Sequence, residues 1–215
     1  MRLTILSTVL FAGTALTAVS AQAAGELNLI CSADVVICEQ MQGDFEKSHD
    51  IKVNMVRLSS GETYAKVRAE SRNPKTDLWW AGTGDPHMQA ASENLTLEYK
   101  SPMLDQLQDW AKKQAESSGF KTVGVYAGAL GWGYNTEIFK SKGYKEPVCW
   151  ADLLAPELKG EIQIANPNSS GTAYTALASL VQIMGEDQAI DYLKKLNTNI
   201  SQYTKSGSAP VKAAA

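Results

Sequence analysis

The chain has 215 residues, with 20 Lys and Arg against 23 Asp and Glu, for a formal net charge of −3. That mild acidity argues against nucleic acid, whose binders carry basic patches, and against an anionic membrane surface. No segment past the first two dozen residues approaches the ~18 consecutive apolar residues that a membrane helix needs.

Residues 1–23 read as a secretory leader. Arg2 supplies the positive start, Leu3 to Val19 carries no charge, and Ala21-Gln22-Ala23 is a small-x-small cleavage site. An uncleaved anchor is disfavoured, because Ser, Thr, Gly and Ala stud the apolar stretch and no basic stop-transfer cluster follows. Cys31 lies too far past the cleavage site to serve as a lipid anchor. Cleavage after Ala23 removes 23 residues and one charge, leaving 192 residues of net charge −4. That is enough for one large or two small domains, and the expectation is a soluble exported protein.

Glu26 to Cys31 alternates as a strand, and a helix is expected from about Asp34 to His49, with Ile37, Met41 and Phe45 as its core stripe. Ile51, Val53 and Met55 mark a second strand. Ser59-Ser60-Gly61-Glu62 opens a helix from about Gly61 to Ser71 as a capping box, and Asn73-Pro74 stops it. Asp77 to Ala81 reads as a buried strand, followed by the turn Gly82-Thr83-Gly84-Asp85-Pro86 and a short helix through Ala91. Ser101-Pro102 begins a helix to about Ser117, with Leu104, Leu107 and Ala111 on its buried side. Thr122 to Asn135 is rich in Gly and aromatics and poor in charge, as suits extended strands or a crossover between domains.

Strand–helix order then resumes. Trp150 to Leu154 is a short helix and Glu161 to Ala165 a strand. Asn166-Pro167-Asn168-Ser169-Ser170-Gly171 leads into a long helix through Met184, closed by Gly185. A helix from about Asp187 to Leu196, with Ile190, Leu193 and Leu196 inward, precedes a strand near Ile200 to Tyr203. Such alternation predicts an α/β fold on mostly parallel sheets, in two lobes joined at the glycine-rich crossover. The expected division is a leader at 1–23, a first lobe at 24–125, a crossover at 126–135 and a second lobe at 136–215.

Three cysteines in an oxidising compartment are an odd number. Cys31 and Cys38 are close in sequence, at a strand end and a helix start. Their bridge, leaving Cys149 free, is the favoured pairing; three reduced, buried thiols are the alternative. No C-x-x-C occurs and the histidines are His49 and His87, so no metal site and no cofactor is expected.

At its turns the chain resembles the periplasmic solute-binding proteins of ABC importers, in the cluster of ferric-iron and sugar-phosphate binders. The resemblance rests on Cys31-Ser32-Ala33, Leu58-Ser59-Ser60-Gly61-Glu62 and, most specifically, Asp77-Leu78-Trp79-Trp80-Ala81-Gly82-Thr83-Gly84-Asp85-Pro86-His87. It continues through Gly131-Trp132-Gly133-Tyr134-Asn135, Cys149-Trp150-Ala151-Asp152-Leu153-Leu154 with Lys159-Gly160, and Asn166-Pro167-Asn168-Ser169-Ser170-Gly171-Thr172. It implies a two-lobed periplasmic-binding-protein-like fold whose second lobe is incomplete here. It also implies a monomer in the periplasm that hands a small solute to an inner-membrane permease. Members of that family continue past this length, and the tyrosine pair with which its iron binders hold ferric ion would lie beyond residue 215.

The turns suit an anion. Ser59-Ser60-Gly61 and Ser169-Ser170-Gly171-Thr172 both sit where a strand hands over to a helix, offering unpaired N–H groups, hydroxyls and a partial positive potential. Plain N-capping explains either turn alone. Thr83 and Gly84 are expected in the cleft, and Ser32 joins them by the resemblance. Phosphorylated sugar is the first expected solute, ferric ion the alternative, and polyamine a weaker one for want of clustered carboxylates. Trp132 and Tyr134 could stack on a sugar ring or sit in a core. A thiol enzyme built on Cys149, His87 and Asp85 is the competing class, and no nucleophile elbow or metal motif supports it.

Overall fold

A computed structural model describes residues 25–215; the expected leader and cleavage site lie outside the described residues. Two parallel sheets organise the chain. The first has the order β2-β1-β3, with β1 at Glu26–Cys31, β2 at Lys52–Arg57 and β3 at Leu78–Trp80. β1 pairs in parallel with both neighbours, in register Leu27 to Val53 and Ile30 to Trp79. The second pairs β4, Ile162–Ala165, in parallel with β5, Ile200–Thr204. Parallel strands all point the same way, so each sheet presents its carboxyl ends, and the turns that follow them, on one edge.

Helices α1 (Val35–His49) and α2 (Ser60–Ala69) follow β1 and β2, and α3 (Gly84–Ser92) follows β3. α4 spans Asp109–Ser117 and α5 Thr136–Lys142, while α6 (Gly171–Met184) and α7 (Glu186–Leu196) lie between β4 and β5. α8, Ser208–Ala214, ends the chain. The second unit is held by Leu153, Leu180, Ala189, Tyr192 and Leu196, with Trp132 and Trp150 packed against them. The first has a smaller knot of Cys31, Ala33, Cys38 and Ala81. Its centre is a disulfide: Cys31 and Cys38 are bonded with Cα atoms 6.0 Å apart, and Cys149 is free and exposed.

Three sequence expectations are corrected. α1 does not bury Ile37 and Met41, which are 51% and 45% exposed. Its inward face lies one residue further round, at Cys38, Gln42 and Glu46. Gln42 Nε2 donates to the Val53 carbonyl at 2.8 Å, and the Glu46 carboxylate accepts the Val53 N–H at 2.7 Å. The helix thus satisfies the open edge of β2 instead of covering an apolar sheet face. The helix expected from Ser101 to Ser117 breaks: Leu104–Gln106 is a single 3₁₀ turn, Leu107 is extended, and α4 begins anew at Asp109. α7 turns Ala189, Tyr192 and Leu196 inward and leaves Ile190 exposed. Residues 121–135 contain no regular element.

Candidate functional site

The carboxyl ends of all five strands feed one small cleft. β1 contributes Ser32, β2 contributes Arg57, Ser59 and Ser60, and β3 contributes Gly82 and Thr83. β4 leads to Ser170, Gly171 and Thr172, β5 to Gly207, and the irregular connection supplies Tyr126. The cavity they enclose is ≈ 60 Å³. No carboxylate lines it, and Arg57 is the one charged lining residue. Of the expected residues, Ser32, Ser59, Ser60, Thr83, Ser170, Gly171 and Thr172 come together here, whereas Gly61, Gly84 and Ser169 lie outside the lining.

Those three have other work. The Gly61 N–H donates to the Ser169 carbonyl at 2.9 Å, joining the turn after β2 to the turn after β4. A Cβ at Gly61 would collide with the Asn168 carbonyl, so only glycine permits the approach. Ser169 Oγ donates to the Lys205 carbonyl at 3.0 Å, and Ser59 Oγ donates to the same oxygen at 3.1 Å. Gly84 opens α3 beside Gln114.

Hydroxyl by hydroxyl, the site divides into supports and free donors. Ser32 Oγ accepts from Trp79 Nε1 at 2.9 Å and contacts Thr63 Oγ1 at 3.1 Å. The Thr63 hydroxyl donates to the Ser59 carbonyl, so in this contact Ser32 is the donor. Ser59 Oγ accepts from Arg57 Nη1 at 3.1 Å besides its bond to Lys205. Ser60 Oγ accepts the Thr83 N–H at 3.3 Å, leaving its own proton unclaimed among the described residues. Thr83 Oγ1 is buried with no partner among the described residues. Ser170 Oγ caps α6 by accepting the Ala173 N–H, which leaves the first N–H groups of that helix aimed at the cleft. A buried hydroxyl without a partner is costly, and Thr83 Oγ1 is the one among the cleft-lining residues described.

The turn after β3 is the most constrained. Ala81 and Gly82 are both left-handed, at φ 66° and 98°. A Cβ at Gly82 would lie 2.5 Å from Ser60 Oγ and 2.9 Å from Ser32 Cβ, so glycine is required there on both counts. The Gly82 N–H donates to Tyr126 Oη at 3.2 Å, which leaves the phenol proton available to the cleft. His87 holds the turn from below: its ring stacks on Trp79 with centroids 3.8 Å apart, and Nε2 donates to the Ala81 carbonyl at 2.9 Å. Burial pushes the His87 imidazole below its usual value, with the carbonyl bond acting weakly the other way. His87 is therefore a prop for the turn and not a cleft ligand.

Other expected residues are elsewhere. Trp132 packs edge-on against Trp150 at 4.8 Å and donates to the Pro147 carbonyl, and Tyr134 packs against Phe139. Neither lines the cleft. Cys149 sits beside Asp152 in the second unit, while His87 is fixed under Ala81 in the first, so no Cys149–His87 dyad is assembled. Among the described residues no group of three His, Cys, Asp or Glu could hold a metal ion. Sequence reasoning missed Arg57 and Tyr126. The one signal for Arg57 was a lone cation at a strand's carboxyl end; for Tyr126 it was an aromatic in a charge-poor run.

Comparison with known proteins identifies the family of the chain. The family of bacterial extracellular solute-binding proteins matches residues 73–214. An uncharacterised protein of Haemophilus influenzae is 46% identical over 209 residues, covering 97% of this chain and 60% of its own length. The periplasmic binding protein AfuA from Actinobacillus pleuropneumoniae, solved with exogenous fructose-6-phosphate bound, is 48% identical with a TM-score of 0.85, over 88% of this chain and 60% of that one. The periplasmic binding protein P5PA is 41% identical with a TM-score of 0.81, over 85% and 58%. Iron-bound HitA from Pseudomonas aeruginosa shares the fold at 16% identity and a TM-score of 0.65, over 88% and 59%. The chain thus spans about three fifths of the length of the relatives it matches.

Proposed function

The chain belongs to the family of bacterial extracellular solute-binding proteins, and we propose that it captures a small phosphorylated solute, first of all a sugar phosphate, for an ABC importer. In this reading the protein works in the periplasm, takes its solute between two α/β lobes divided at residues 126–135, and presents it to a membrane permease. The observation that carries it is the lining of the cleft: hydroxyls, free helix-start N–H groups and one guanidinium, with no carboxylate. Such a surface stabilises a phosphate oxygen cluster and repels nothing that carries negative charge. The cavity, at ≈ 60 Å³, is small for a whole sugar phosphate. Part of the solute would therefore lie outside it.

A relative at 48% identity was solved with fructose-6-phosphate, which gives the probe. The iron-bound neighbour is too distant to carry more than the fold. Titration calorimetry with fructose-6-phosphate, fructose and ferric citrate tests the proposal. The expected result is binding of the phosphate ester alone. Binding of ferric citrate with no response to phosphate esters would replace the sugar-phosphate reading with the iron one.

A further inference from the structure

Arg57 ends β2 with its side chain folded back toward the cleft. Nε donates to the Ala33 carbonyl at 2.9 Å and Nη1 to Ser59 Oγ at 3.1 Å. Those two bonds come from different turns, after β1 and after β2, and together they fix the plane of the guanidinium. A guanidinium has five N–H donors, so three are left over. Among the described residues Arg57 forms no ion pair, although Asp and Glu outnumber Lys and Arg in the chain. A half-buried cation normally finds a carboxylate; this one lines a cavity with unclaimed donors instead.

We infer that Arg57 is the residue by which this cleft reads charge: its guanidinium pairs with the phosphate group of the solute and selects a phosphate monoester over the neutral sugar. The inference rests on the proposed phosphate-binding function and adds to it the source of its discrimination. Hydroxyls and N–H groups alone bond a phosphate and a sugar hydroxyl in kind, because both accept. Only a full positive charge separates them strongly, and a planar fork meets two phosphate oxygens at once. Thr83, on the turn after β3, lines the same cavity as Arg57.

The test is calorimetric titration of fructose-6-phosphate into the wild type, R57Q and R57K. R57Q should bind roughly ten- to a hundred-fold more weakly, as the loss of a charge-assisted hydrogen bond implies. R57K, which keeps the charge without the fork, should recover part of that loss. R57Q binding like the wild type, or R57K falling as far as R57Q, overturns the role of Arg57 and leaves the phosphate-binding reading standing. Should R57Q lose its unliganded melting transition, competition in the wild type decides. Inorganic phosphate should displace fructose-6-phosphate and an equal concentration of fructose should not; displacement by fructose overturns the inference. A wild type that takes neither fructose-6-phosphate nor inorganic phosphate overturns the functional reading, and the inference with it.

Discussion

Thr83 Oγ1, on the turn after β3, occupies the space that a Cβ would need at Gly171, the first residue of α6. The two units meet so closely here that position 171 accepts no side chain. An alanine would also lie 2.8 Å from Ser60 Oγ and 2.9 Å from Thr83 Cγ2, so rotating Thr83 exchanges one collision for another. Gly171→Ala should therefore hinder the closed arrangement more than the fold of either unit. Overpacking of this kind costs about 1–3 kcal/mol, so binding of fructose-6-phosphate should weaken by roughly ten- to a hundred-fold. The unliganded melting temperature should move little. Unchanged affinity in calorimetry would mean that the turns need not meet to hold the solute.

The division of hydroxyls into supports and free donors separates two kinds of variant. Ser60→Ala and Thr172→Ala remove hydroxyl protons that nothing claims among the described residues. Each should weaken binding by roughly ten-fold or more and lower the melting temperature less than Ser59→Ala, since Ser60 gives up only one long bond from the Thr83 N–H. Ser59→Ala removes the hydroxyl shared by Arg57 and the Lys205 carbonyl, at a residue 3% exposed. It should cost stability first, about 1–2 kcal/mol, or a fall of a few degrees in a chain this size. Melting curves and titrations of the three variants side by side check the split. A Ser60→Ala variant as destabilised as Ser59→Ala would show both serines to be caps.

The turns were legible in the sequence because their chemistry is local. A Ser or Thr cluster between a strand pattern and a helix pattern marks a helix start whatever it binds, and two such clusters met at one cleft. What the sequence could not show is orientation set from outside the element. Ile37, Met41 and Phe45 repeat as a buried stripe should, yet the disulfide at Cys38 and the bonds from Gln42 and Glu46 to Val53 turn the helix by one residue. Arg57 escaped for a related reason. A cation at a strand end reads as solvated until the Ala33 carbonyl and Ser59 hydroxyl that hold it are known.

The Cys31–Cys38 bridge spans seven positions in sequence and ties the end of β1 to the first turns of α1, directly beside Ser32. Closing so short a loop restricts the unfolded chain by about 2.5 kcal/mol on the chain-entropy view. Reduction, or a Cys31→Ser/Cys38→Ser double variant, should lower the melting temperature accordingly and loosen the turn that carries Ser32. Thiol counting on the denatured, unreduced protein should find one reactive group, Cys149, which is exposed. Three reactive thiols would remove the bridge from the account.

His87 gives the fold a pH dependence whose sign follows from its burial. Its imidazole is held below its ordinary value of 6.5, chiefly by desolvation, so the folded state binds fewer protons than the unfolded one. The stability due to neutral His87 is fully present above pH 6.5 and is lost as pH falls from there toward the folded value. The lowered carboxylates, Glu26, Asp34, Glu93 and Asp152, act later: their stabilisation is lost only as pH falls below the ordinary values of 4.5 for Glu and 3.8 for Asp. The step just below pH 6.5 therefore belongs to His87 and can be read apart from the acid limb. Protonation would place a charge between Trp79 and the Ala81 carbonyl, under the left-handed turn that carries Gly82 and Thr83. Melting temperature should fall as pH drops from 6.5 to the start of the acid limb in the wild type. His87→Gln, which retains an N–H for the Ala81 carbonyl, should flatten that interval and leave the acid limb below it unchanged. A variant whose melting profile follows the wild type through the interval would assign the dependence to another group.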